Sequence, residues 1–167
     1  MFSLKPLSTD AIPAALGKAE RYRLLNEPGQ AESICLDVLA IDPGNQAALV
    51  MLVLALSDQF GGQPAQALQR ARAALARLDG EYERAYYEGI LCERRARAQL
   101  AHGGHGSSLA AREWLKEALG HYARAEQHRP AGNDDAILRW NACVRLLEHH
   151  PDTGEPGDDR TRMMMLE

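Results

Sequence analysis

The chain has 167 residues, of which 46% are hydrophobic but only 5% aromatic, and a formal net charge of −4. That length suits one domain with a real core, and frequent alanine with few β-branched residues suits close-packed helices and excludes an alternating strand pattern. The arginines between Arg70 and Arg112 are interleaved with Asp79, Glu81, Glu83, Glu88 and Glu93. Mixed signs at helical spacing read as a solvated, ion-paired face and exclude the unopposed basic stripe of a nucleic-acid binder.

Residues 1–10 read as a lead-in, residues 11–150 as a helical domain and residues 151–167 as a disordered tail. Pro6, Asp10 and Pro13 interrupt any apolar run near the start, and the run from Ala47 to Leu56 is too short to cross a bilayer. Neither a signal peptide nor a membrane partner is expected. Asp10 is positioned to cap a first helix from Ala11 to Asn26, with Pro13 tolerated in its first turn. Pro28-Gly29 makes the turn into a second helix, which Asp42-Pro43-Gly44-Asn45 ends after Ile41. A third helix is expected over Gln46–Gln59, apolar on nearly every side and therefore central to the core, and a fourth over Pro64–Leu78. A long pair follows, turning at His102-Gly103-Gly104-His105-Gly106, with Ser107 or Ser108 capping the return to His128. The last helix runs from Asn133 to Glu148, capped by Asn133 or Asp134. Pro151 to Asp159 has a disorder composition, and Met163 to Leu166 makes an apolar patch on the tail.

One spacing occurs three times. Ala31, Cys35, Val38 and Pro43 have offsets of four, seven and twelve, repeated by Ala67, Ala71, Ala74 and Asp79 and by Ala118, Tyr122, Ala125 and Pro130. The first three positions form one stripe of a helix and the last ends it. Before each set lies a pattern with offsets of three, four and seven: Ala15, Lys18, Ala19, Tyr22; Leu49, Leu52, Val53, Leu56; and Ala85, Glu88, Gly89, Cys92. Ala136, Arg139, Trp140 and Cys143 repeat it once more, and Tyr22 to Leu56 spans 34 residues.

This period and order of small and aromatic positions resemble the tetratricopeptide repeat, over about residues 11–150. The resemblance implies an all-α fold: antiparallel hairpins stacked as a short α-solenoid, with a C-terminal capping helix whose large Trp140 has no following repeat to accommodate. The runner-up is a non-repeat bundle with the same helices. Gly89 precedes Ala118 by 29 residues where the repeat has twelve, so the third hairpin is elongated by Arg95 to Ala111 and should project beyond the stack. The register buries Leu52, Val53, Leu56, Ala71 and Ala118.

Nothing in the pattern supplies chemistry. No strand precedes a glycine-rich loop, so a phosphate-binding motif is missing. His102 and His105 flank two glycines without a carboxylate, and Cys35, Cys92 and Cys143 stand far apart on core stripes. No catalytic residue, cofactor or metal ligand set is therefore assigned, and buried reduced thiols point to the cytoplasm.

The resemblance instead implies protein binding. First helices of such repeats line a concave groove that takes extended peptides. By register the groove receives Leu16, Glu20 and Arg23, then Val50, Leu54 and Asp58, then Tyr86, Ile90 and Arg94, and finally Asn141 and Arg145. The strongest contacts are Tyr86, Ile90, Arg94, Asn141 and Arg145, which favour a segment with acidic side chains or a free carboxylate. Tyr86 and Ile90 can equally pack beneath the last helix. Leu16 and Glu20 cannot form the carboxylate clamp of chaperone-binding members. The alternative function is a self-associating oligomer whose groove takes its own C-terminal tail.

Overall fold

The computed structural model describes residues 2–104 and 106–150. Expectations for the tail, including Met163 to Leu166, lie outside them. After a 3₁₀ turn at Thr9–Ala11 the described residues form seven α-helices: α1 Ile12–Leu24, α2 Pro28–Ile41, α3 Gln46–Ser57, α4 Pro64–Leu75, α5 Glu81–His102, α6 Ser107–Gln127 and α7 Asp135–His149. There is no strand among the described residues. Each helix packs on the next in sequence, so the fold is an all-α, solenoid-like stack of antiparallel hairpins.

Local chemistry sets the ends. Pro28 and Pro64 each open a helix at a position whose N–H has no helical acceptor. Asn45 caps α3, its side-chain oxygen accepting from the Ala48 N–H at 2.9 Å. Several expected ends shift: α3 stops at Ser57, α4 at Leu75, and α7 starts at Asp135. Asp10 lies within the 3₁₀ turn instead of capping, so α1 starts one residue later. At the other end Asn26 takes φ 59°, its N–H donates to Arg23 O, and the Glu27 N–H donates to Tyr22 O at 2.8 Å. These two bonds form a Schellman closure, which ends α1 at Leu24 rather than Asn26. At α6 the expected serine caps are absent: Gly106, at φ 79°, precedes the helix and Ser107 is its first residue.

Two principal clusters make the core. The first joins α1 to α4 through Ala19, Ala31, Cys35, Val38, Leu49 and Val53. The second lies among α5, α6 and α7 around Ile90, Leu115, Tyr122 and Cys143. Leu52, Val53, Leu56, Ala71 and Ala118 are all buried, as the register requires. Small residues set the approach of the helices. A Cβ on Gly89 would stand 2.5 Å from a ring carbon of Tyr122, so only glycine admits that contact.

The third hairpin is elongated, with 22 residues in α5 and 21 in α6 against 12 to 14 in each of α1 to α4. It does not stand free over the whole extension, however. Ala96 and Ala111 are buried, Ala98 packs on the first cluster, and α7 returns along α6. There the Arg112 guanidinium donates to His150 O at 2.7 Å. Packing thus covers the base of the extension, and among the described residues of its tip Ala101 to Gly104 and Gly106 are exposed. On α7, Leu138 and Trp140 remain exposed.

Candidate partner-binding face

Side-by-side contacts join α1 to α3 and α3 to α5, with no comparable contact between α2 and α4 or α4 and α6 among the described residues. The first helices therefore form the tighter side of the stack, where a solenoid is concave.

Charged groups tie that side together. Arg23 of α1 donates to one carboxylate oxygen of Asp58 at 2.7 Å, and Arg94 of α5 donates to the other. Arg94 also caps the end of α3, donating to Leu54 O at 3.1 Å and Ser57 Oγ at 2.6 Å. Burial pushes the Arg94 pKa down, and Asp58 opposes that shift. Two guanidiniums share one carboxylate, so the row keeps an excess positive charge. Glu20, Arg23, Asn26 and Asp58 line a polar depression at its α1 end.

The expected groove residues separate into two groups. Asn141 and Arg145 are exposed one turn apart on α7, and Arg94 is half-buried within the row just described. Tyr86 is half-buried, its ring stacked on Tyr82 at 5.6 Å and edge-on to Tyr87 at 5.1 Å. Ile90 is a correction: it is 2% exposed and belongs to the α5–α6–α7 core, so it offers a partner no surface. The long hairpin and α7 enclose the middle of α5, where a shorter hairpin would leave it open.

Glu93 corrects the reading of a solvated charged face. It is 1% exposed and accepts from Tyr122 Oη at 2.8 Å, Arg97 Nε at 3.0 Å and Arg139 Nη1 at 3.3 Å. Burial, then the Glu93 charge, push the Tyr122 phenol far above its usual range. This carboxylate joins α5, α6 and α7 and is satisfied on every side. Its role is structural.

A second polar cluster lies between α5 and α6. Single donor atoms of Glu88, Cys92 and His121 lie within 4.8 Å of one another, and Glu117 Oε2 is 3.9 Å from Cys92 Sγ. The expectation of no metal rested on histidines and cysteines scattered along the chain, and the hairpin overturns that premise. Glu88 lies as far before the Gly104–His105 turn as His121 lies after it, and Cys92 and Glu117 are related in the same way. Two i, i+4 pairs symmetric about a helical turn were the signal in the sequence. Cys35 and Cys143 are buried free thiols outside this cluster.

Among the described residues no helix is long and apolar enough to cross a membrane. Compared with family models, curated proteins and solved structures, the chain matches none.

Proposed function

We propose that the chain is a tetratricopeptide-like, non-enzymatic scaffold that binds an extended segment of another protein along the face of α1, α3, α5 and α7. The observation that carries this reading is the Arg23–Asp58–Arg94 row. It links α1, the C-terminal end of α3 and α5 through one carboxylate shared by two guanidiniums. Asn141 and Arg145 add exposed polar groups on α7, and a guanidinium fork matches a carboxylate. The partner is accordingly an acidic or carboxylate-terminated segment. A reducing compartment such as the cytoplasm suits three buried free thiols.

The test places a photo-crosslinking amino acid at position 141 or 145, and in a control at Leu36 on α2, in cells of the source organism. Crosslinks from 141 and 145 to one common partner, missing from position 36, are the expected result. Capture from position 36 alone overturns the assignment of the face. Crosslinks from 141 and 145 to a second copy of the chain would replace it with the self-associating oligomer.

A further inference from the structure

We propose that Glu88, Cys92 and His121, with Glu117 beside them, form a site for a divalent transition metal of the zinc type, held in the metal-free protein by arginine counter-cations. Thiolate, imidazole and carboxylate are the donors such a borderline-soft ion takes, whereas magnesium and calcium select oxygen alone. The scaffold is favourable. Glu88 and Cys92 sit one turn apart on α5, Glu117 and His121 one turn apart on α6, and these two helices have the most extensive contact in the fold. Glu88 Oε1 is 4.0 Å from Cys92 Sγ, and Glu117 Oε2 is 3.9 Å from it. Ligands about 2.0–2.3 Å from a tetrahedral ion stand about 3.3–3.8 Å apart, so closure needs side-chain adjustments of about 1 Å or less.

Access and charge point the same way. Glu88 and His121 line an open cleft with Glu81, Arg84 and Arg124, so an ion reaches the cluster from solvent. Two carboxylates beside a buried sulfur make a concentrated negative site, and cations already sit on it. Arg72 of α4 contacts Glu88 Oε1 at 2.6 Å with its guanidinium over the Trp114 ring, and Arg124 lies 2.8 Å from His121 Nδ1. Both arginines are substantially exposed and can swing into water. A bound ion takes the place of Arg72 at Glu88, and the thiol proton it displaces passes to solvent. The metal then staples α5 to α6.

The experiment titrates the full-length, untagged, reduced protein with cobalt(II), which reports thiolate ligation by charge-transfer absorption, followed by zinc competition. One cobalt per chain with that band is expected. Cys92→Ser should abolish the band while Cys35→Ala keeps it. His121→Ala and Glu88→Gln, at half-buried positions that threaten folding less, should each raise the cobalt Kd at least about tenfold, given that supporting residues alone are worth about 10–100-fold. Arg72→Gln should lower the Kd, because it removes the competing cation; a purely structural ion-pair network predicts no such gain. Failure to bind one equivalent, a band that survives Cys92→Ser, or Kd values unchanged in both His121→Ala and Glu88→Gln would overturn the site.

Discussion

Gly89→Ala is the sharpest test of how closely α5 and α6 approach. In an open helix this change stabilises by about 1 kcal/mol, because alanine loses less backbone entropy on folding than glycine. Here the new methyl would stand 2.5, 2.7 and 3.0 Å from three carbons of the Tyr122 ring. Ordinary carbon contacts are about 3.5–4.0 Å, so the ring must retreat by about 1 Å. Tyr122 is enclosed, and its hydroxyl is held 2.8 Å from the buried Glu93 carboxylate. Overpacking of this kind costs about 1–3 kcal/mol, and loosening a hydrogen bond to a buried charge about 1.5–3. Set against the propensity gain, the net loss is about 1.5–5 kcal/mol, or roughly 3–20 °C in Tm for a chain of this size. Circular dichroism melts measure it directly. Gly17 and Gly120 provide internal controls, since a Cβ at either meets nothing within 4 Å. Alanine at each should raise Tm by a few degrees. In a Tyr122→Ala background Gly89→Ala should also turn stabilising. A Gly89→Ala protein that melts at or above wild type refutes the close approach.

Ala118→Arg buries a charge between α5 and α6 where alanine is fully enclosed, and should cost several kcal/mol. A melt within a degree or two of wild type would mean the repeat register is wrong. Tyr122→Phe loses the hydrogen bond to the Glu93 charge but leaves Glu93 with two arginines, for about 1.5–3 kcal/mol, whereas Glu93→Ala loses the same bond, strands the Tyr122 hydroxyl and opens a cavity, and should cost more. Chemical denaturation should separate the two, and equal losses would contradict the shared carboxylate. Limited proteolysis should cut first between Ala101 and Gly104, an exposed stretch at the hairpin tip. Cleavage at Gly61-Gly62 instead would place the weakest backbone in the second hairpin.

Much of the fold was legible because its punctuation is local. Prolines open α2 and α4, and alanines at offsets of four and seven mark the buried stripes, so element order and most of the core follow from spacing alone. The helix ends followed less well. Asn26 ends α1 in a left-handed turn that competes with continued helix, and nothing in its immediate neighbours decides between them. The polar network was the least legible. Glu93 shares the arginine-rich surroundings of Glu88, and only Tyr122 and Arg139, which approach from other helices, distinguish a buried carboxylate from a solvated one. Register assigned Ile90 to the expected groove along with the other first-helix residues. It could not tell that α7 and the long hairpin close over Ile90.

The division of the hydrophobic interior has a consequence for how the molecule yields. The α4–α5 contact is the thinnest between consecutive helices, and Leu91 is the fully buried α5 residue that joins the α1–α4 cluster across it. Opposite that seam, the Arg94 bonds to the end of α3 act as a strap. The two core clusters therefore meet along a thin seam, held by Leu91, by the Arg72–Glu88 pair and by the Arg94 bonds to α3. A group that took the Arg94 guanidinium for itself would release three of the bonds that hold this seam, leaving Leu91 and the Arg72–Glu88 pair to carry it.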